Sequence, residues 1–288
     1  MTSVIFFGTP DFVLPIPQAL LKAGYYLTTV VTSPDQPAGR HKILTPSPVK
    51  AWAQKHEIPF LTPEKLDENF LHNSILCNSQ LFILAAYGQI IPLPILKLPR
   101  YGCLNIHPSL LPKYRGPSPV QAAILAGERQ TGVTIIKMDE KVDHGPIVAQ
   151  FKETIRPKDT AETLIQRLFS SAAEALTTIL PAYIEGRVKP REQNHQKATY
   201  SKILKREDGY VDLENPPSPE VLDRMICAYY PWPGVWSRLR QGFGGQAHLI
   251  KFLPQQKVQV EGGKPMTYKD FLNGYPEAKD WLSKILQI

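Results

Sequence analysis

Short, dense apolar runs alternate with stretches of three- and four-residue hydrophobic spacing through most of the chain. SVIFF (3–7), closed by Gly8, reads as a buried strand. A helix is predicted after it, ending near Gly24, although Pro15 and Pro17 disfavour its first turns. YYLTTVVT (25–32), LFILAAY (81–87), GCLNIH (102–107), TGVTIIKM (131–138) and PIVAQFKETI (146–155) read as further strands. Between the second and third of these, SPDQPAGRHKILTPSPV (33–49) reads as a long polar loop, with a helix from Pro48 to Lys55. VQAAILAG (120–127) predicts a helix closed by Gly127. A long helix is predicted from Asp159 to Tyr183, with Ile165, Leu168, Ala172, Leu176 and Ile179 on one stripe. Strands alternating with helices imply βαβ units. The expected class is α/β: a Rossmann-like, mostly parallel sheet with helices on both faces.

The texture changes after Gly186. RVKPREQNHQKATYSKILKREDG (187–209) is polar and non-periodic, like a linker lying on a surface. The remainder predicts a helix near Pro219–Ala228 and short strands around 234–240, 247–253 and 257–261, a smaller β-rich domain. The expected division is a catalytic-type domain over 1–186, a linker over 187–206 and a C-terminal domain over 207–288.

In open α/β sheets, ligands bind beyond the carboxyl ends of the strands, and NIHPSLLPKYRGPSPV (105–120) starts at such an end. Strand side chains alternate faces, so Asn105 and His107 project to the same side. An amide that donates and an imidazole that donates, accepts or titrates suit a developing oxyanion and a proton in transit. The bland alternative is a histidine anchoring a loop through a backbone carbonyl. KMDEKVDHGPI (137–147) places Asp139, Glu140, Asp143, His144 and Gly145 between two strands, where a carboxylate could return to His107 and orient its ring; a solvated acidic turn is the alternative. No metal is expected, because HExxH-type spacing is missing and hard-ion loops concentrate more carboxylates. Ser109 has no GxSxG elbow around it. Gly8 begins neither GxGxxG nor GxxxxGK[ST], and GFGG (242–245) reads as a flexible hairpin.

Composition adds three constraints. The three cysteines, Cys77, Cys103 and Cys227, form no CxxC pair, so neither a disulfide framework nor a thiolate zinc site is expected. No apolar run approaches the roughly 20 residues of a membrane helix, and MTSVIFFGTPDF lacks a basic n-region and a cleavage-like site, so a cytoplasmic location is expected. The formal charge of +7 favours a polyanionic partner, and the surplus is concentrated: Arg187 to Arg206 holds seven basic residues and one acidic residue, Glu192.

These segments together resemble a known family. FFGTPDF (6–12), TSPDQPAGRHKILTPSPVK (32–50), LNIHPSLLPKYRGPSPVQAAILAGERQTGVTIIKMDEKVDHGPIVAQ (104–150), ATYSKILKREDGYVDL (198–213) and YYPWPGVW (229–236) resemble the methionyl-tRNA formyltransferases, within the wider group of 10-formyltetrahydrofolate-dependent formyltransferases. The Asn-x-His pair and the distant Asp belong to the wider group. The SLLPxYRGxSP run, the PAGR loop and the PWPxxW segment point to the tRNA enzymes. By that resemblance, Asn105, His107 and Asp143 are the catalytic trio. Ser109, Leu110, Leu111 and Pro112, with Tyr87, Gly88, Gln89 and Ile90, are folate-binding. Arg40, Lys42, Lys189, Arg191, Lys202, Lys205 and Arg206 are the expected tRNA contacts. The implied partners are 10-formyltetrahydrofolate as formyl donor and methionyl-initiator tRNA as acceptor, with no membrane and a monomeric enzyme.

Two departures stand out. The loop after PAGR carries fewer charges than is usual in the family, and only about 50 residues follow Trp236. The expectation is a shortened OB-like barrel built from LRQGFGGQAHLIKFL (238–253, less its first residue) and KVQVEGGKPMTYKDFLNG (257–274), with an amphipathic helix near 277–286 over its open edge. The competing readings are an amino sugar nucleotide formyltransferase, a 10-formyltetrahydrofolate hydrolase and a non-catalytic RNA-binding protein.

Overall fold

A computed structural model describes residues 1–39, 41–239, 248–279 and Leu282. The predicted strands form with small shifts at their ends: β1 (Ser3–Gly8), β2 (Tyr26–Val31), β6 (Leu81–Ala85), β7 (Cys103–His107), β8 (Gln130–Lys137) and β9 (Ile147–Thr154). A two-residue strand, β5 (Phe60–Leu61), joins them in a seven-stranded sheet among the described residues, ordered β5-β2-β1-β6-β7-β8-β9. Pairings β1–β2, β1–β6, β2–β5 and β6–β7 are parallel, and β7–β8 is antiparallel. The chain moves from β1 to one side and returns to β6 on the other, which makes a switch point at the carboxyl ends of β1 and β6. Ile5, Phe7, Val31, Phe82, Tyr87, Ile95 and Cys103 pack into one buried cluster. Burial pushes the Cys103 thiol up to about 12, which leaves it a core side chain rather than a nucleophile.

The helices α1 (Pro15–Lys22), α2 (Pro48–Lys55), α6 (Pro119–Leu125), α7 (Ala161–Ile184) and α8 (Pro219–Tyr229) lie close to their predicted positions. Pro15 and Pro48 each open a helix, where the missing N–H would have no intrahelical partner. The hydroxyl of Ser47 accepts from the Lys50 N–H at 3.0 Å and caps α2. On α7 the buried stripe is Leu164, Leu168, Ala172, Leu176 and Leu180, so Ile165 and Ile179, expected on the stripe, flank it half-buried. A strict spacing of four keeps the stripe on one slowly turning face; both isoleucines fall one residue off it.

Some elements were not legible in the sequence. The loop expected over 33–49 contains an exposed hairpin, β3 (Gln36–Ala38) with β4 (Ile43–Thr45). Pro37 inside its first strand and the absence of a buried face hid it from a pattern argument. Short helices α3 (Glu68–Leu71), α4 (Ser74–Cys77) and α5 (Leu93–Leu96) are too brief to show a period.

Contacts divide the chain into two compact units. One holds 1–116, 131–153 and 165–200; the other holds 117–130, 154–164 and 201–288. The basic segment 187–206 is therefore shared, its first part in one unit and 201–206 in the other. In the second unit α6 packs with α8. An antiparallel sheet follows, β10 (Val235–Leu239), β11 (His248–Leu253), β12 (Lys257–Val260) and β13 (Met266–Thr267), in that order. The segment read as a closing hairpin piece ends instead in a helix, α9 (Tyr268–Gly274). The Thr267 hydroxyl caps it, accepting from the Asp270 N–H at 3.2 Å, and this Thr-x-x-Asp pattern was the available signal. The GFGG hairpin (242–245) lies outside the described residues. So does most of the helix expected over 277–286, where Pro276–Ala278 is a 3-10 turn and Ala278 and Leu282 are buried. Among the described residues, no helix is long and apolar enough to cross a membrane.

Candidate active site

β7 carries Asn105 and His107 on one face, as period two requires, and both are buried. The turn between β8 and β9 brings Asp143 to them. Asn105 Nδ2 donates to Asp143 Oδ1 at 3.0 Å. His107 Nδ1 lies 3.4 Å from Asp143 Oδ2. The Gly116 N–H donates to the same Oδ2 at 2.7 Å. Asp143 adopts φ +49°, a sparsely populated left-handed conformation that aspartate tolerates better than most non-glycine residues.

The second imidazole nitrogen has its own partner. His107 Nε2 is 2.9 Å from the Tyr114 carbonyl oxygen, which can only accept, so Nε2 carries a proton. Nδ1 then faces the Asp143 carboxylate, and the two contacts together fix the orientation of the ring. The loop-anchor alternative is thus also realised: the same ring secures Tyr114 and meets Asp143. Tyr114 is held in turn, its N–H donating to Thr199 Oγ1 at 2.8 Å.

The segment after β7 is pinned by more than its prolines. Thr134 Oγ1 donates to the Ser109 carbonyl at 2.6 Å and accepts from the Leu111 N–H at 3.1 Å. Gln150 Nε2 donates to the Leu111 carbonyl at 2.9 Å, and Ser109 Oγ donates to the Lys113 carbonyl at 2.7 Å. Ser109 and Leu111 are buried, which leaves Leu110 and Pro112 partly accessible. A Cβ at Gly132 would come within 1.9 Å of the Phe151 carbonyl oxygen and 2.6 Å of Leu110, so only glycine fits behind this loop.

Leu84 of β6 pairs with Asn105 of the parallel β7, so the loop after β6 leaves from the same sheet edge. Tyr87 is buried in the core, and its carbonyl accepts from Thr9 Oγ1 at 3.0 Å. Gly88 has φ +94°, Gln89 Nε2 donates to the Pro63 carbonyl at 3.1 Å, and Ile90 is 79% exposed. An apolar side chain so exposed at the edge of a site is available to a flat aromatic ligand.

The expected RNA contacts are dispersed. Arg40 lies outside the described residues. Lys42 is exposed at the tip of the β3–β4 hairpin, and Lys189 and Arg191 are exposed after α7. Lys202 is ion-paired with Asp208 and Arg206 stacks on Trp236, its guanidinium 5.2 Å from the ring centre. The Lys205 N–H donates to Asp208 at 2.7 Å. Among the described residues, no group of His, Cys, Asp and Glu is placed to hold a metal ion.

Sequence reading missed the residues behind Asp143. Arg115 is 2% exposed, and its Nη2 donates to Gln193 Oε1 at 2.7 Å and to His195 Nδ1 at 2.8 Å. His195 stacks on His144 with ring centres 4.0 Å apart, and His144 Nδ1 lies 2.6 Å from Asp139 Oδ2. Desolvation, then the neighbouring His144 and Arg115, hold the His195 pKa below the ordinary value of 6.5. The folded chain therefore binds this proton less readily than the unfolded chain. His195's share of stability is full above that ordinary value and is lost as pH falls from it towards the depressed one. A histidine titration followed by NMR is expected to place the His195 midpoint below 6.5 in the native protein and to return it upward in urea. A native midpoint at or above the urea value would show that desolvation and the two neighbouring groups do not disfavour the His195 imidazolium.

A family model described as formyl transferase matches residues 1–180. The methionyl-tRNA formyltransferase of Chloroflexus aurantiacus is 45% identical over 249 residues, covering 86% of this chain and 79% of that protein. The methionyl-tRNA formyltransferase of Bacillus licheniformis is 42% identical, with 95% of each chain covered. Among solved structures, a sugar N-formyltransferase from a Shewanella species matches with a TM-score of 0.67 at 18% identity, covering 88% of this chain and 98% of that one. The methionyl-tRNA formyltransferase from Clostridium thermocellum matches with a TM-score of 0.60 at 18% identity, covering 93% and 100%. At such identities the structural likeness shows the fold and does not choose between acceptors.

Proposed function

The chain belongs to the formyl transferase family, and from that premise we propose that it transfers a formyl group from 10-formyltetrahydrofolate to the free amino group of methionyl-initiator tRNA. The acceptor rests on identity above 40% to methionyl-tRNA formyltransferases over most of the chain. The chemistry rests on one observation: Asn105, His107 and Asp143 meet at the carboxyl end of β7.

In this reading the neutral amine attacks the formyl carbon, the bond from that carbon to N10 of the folate breaks, and the proton given up by the amine passes on to the departing N10. An amide has two N–H donors; Asn105 spends one on Asp143 and offers the other to the oxygen that gains negative charge. His107, its ring held with Nε2 on Tyr114 and Nδ1 towards Asp143, stands beside that oxygen and helps to stabilise it. The Asp143 carboxylate has lone pairs beyond those used by Asn105 and Gly116, and accepts the amine proton directly or through water. Tyr87–Ile90 and Ser109–Pro112 hold the folate, whose loops need little ordering on binding because they are already pinned. The enzyme acts as a cytoplasmic monomer.

The decisive assay supplies 10-formyltetrahydrofolate with charged or uncharged initiator tRNA. Formyl-methionine on the charged RNA supports the proposal. Formate release without an acceptor supports the hydrolase, and transfer to an amino sugar nucleotide alone supports that rival.

Phosphate contacts should give salt-dependent tRNA binding. Lys189→Ala is expected to reduce the slope of log K against log salt by about 1. Lys202→Ala is expected to change it less, because Lys202 must first leave Asp208. Filter binding across a salt series checks both, and equal slopes for all three proteins would exclude Lys189 as a phosphate contact.

A further inference from the structure

Gln193 is 5% exposed, while its neighbours from Lys189 to Gln196 lie at the surface. Its side chain turns inward from the basic segment, within the same compact unit. Its Nε2 donates to the Asp143 carbonyl at 2.9 Å and to the Gly145 carbonyl at 2.7 Å. Its Oε1 accepts from Arg115 at 2.7 Å. A guanidinium only donates and carbonyls only accept, so these partners fix which end of the amide is which. The backbone is clamped beside it, because Ile147 and Arg191 exchange hydrogen bonds of 2.7 and 2.8 Å.

We infer that Gln193 is a positioning residue: backed by Arg115, it holds the 143–145 turn so that the Asp143 carboxylate stays against Asn105 and His107. This rests on the reading of Asp143 as part of the reacting site. Asp143 sits at φ +49°, in the sparsely populated left-handed region, and two hydrogen bonds to the Asp143 and Gly145 carbonyls hold the turn in that form. The consequence reaches further. Arg191 lies two residues from Gln193, so the segment expected to meet RNA phosphates is the one that sets the catalytic carboxylate. Acceptor binding and site geometry share one rigid piece of chain.

The test is steady-state formylation of charged initiator tRNA by wild type, Gln193→Glu, Asp143→Asn and the double variant. Gln193→Glu keeps an acceptor for Arg115 but loses both donations. Its kcat is expected to fall about 10- to 100-fold, since a displacement near 1 Å costs rates of that order. The donor KM should stay within about twofold, as a positioning defect acts on the reacting geometry and not on ground-state binding. The double variant should be no slower than Asp143→Asn alone, because Gln193 acts only through Asp143. Circular dichroism melts report folding, and Gln193→Met, without hydrogen bonds, gives a second variant of similar length. A lowered melting point with unchanged kcat in both Gln193 variants would overturn the inference, as would additive losses in the double variant. If wild type only releases formate, the acceptor reading fails, and the same kcat ratios measured on formate release still decide the role of Gln193.

Discussion

Asp143→Asn is expected to lower kcat by about 10²- to 10⁴-fold, the range for loss of a positioned acid–base group, while the donor KM changes little. The carboxylate is met by donors on every side: Asn105 Nδ2 at 3.0 Å, the Gly116 N–H at 2.7 Å and His107 Nδ1 at 3.4 Å. An asparagine has one acceptor end and one donor end. Either its NH2 faces Asn105, or it faces Gly116 and His107, and both choices set donor against donor. The substitution also removes the negative charge that faces His107 Nδ1. Two effects follow together: the ring loses the partner that orients it, and, in the proposed mechanism, the amine loses its proton acceptor. Neither is a ground-state contact with the folate, so the loss belongs in kcat. Rapid-quench measurement of single turnovers on charged tRNA would separate chemistry from release. A single-turnover rate within threefold of wild type would remove Asp143 from the mechanism.

Gly145→Ala is expected to cost about 3–5 kcal/mol of stability, the scale of severe single substitutions, and to abolish most activity in the fraction that folds. A Cβ at this position would sit 1.9 Å from the Lys137 carbonyl oxygen and 3.0 Å from its carbon. The obstacle is main chain at the end of β8, where the Lys137 N–H already donates to the Pro146 carbonyl at 2.9 Å. Relief requires β8 and the turn to separate by about 1 Å, the distance between this contact and the 3.0 Å floor for real Cβ atoms. The same movement withdraws the Gly145 carbonyl from Gln193 and shifts Asp143, two residues away. Denaturant unfolding and kcat per folded molecule should therefore fall together. Retention of both would show that the turn has slack that the close approach denies.

The contrast between these two glycine and carboxylate positions and the rest of the chain shows where sequence reasoning stops. β1 and β6 were legible because strands buried on both faces are continuous apolar runs. α2 was legible because Ser47 and Pro48 mark its start chemically. The pairing of Asn105 with His107 needed only the two-residue period of a strand. The β3–β4 hairpin has no buried face and so no period to read. α9 spans only seven residues, too few to display a helical period, and its one local signal is the Thr267 cap.

By itself, the amino-acid order determined the local elements, the alternation that makes a parallel sheet, and the two polar side chains at the end of β7, because these depend on neighbours a few residues apart. It also carried the family, through segments whose residue types are specific in combination. Only the tertiary structure decided how the His107 ring is held, since that follows from a carbonyl seven residues away in Tyr114 and a carboxylate across the sheet edge. Only it decided that Gln193, in a polar stretch with no pattern, enters the interior to meet Arg115 and the 143–145 turn. A buried hydrogen bond is worth little until its partners converge, and convergence over 50 to 80 residues leaves no periodic trace in the chain.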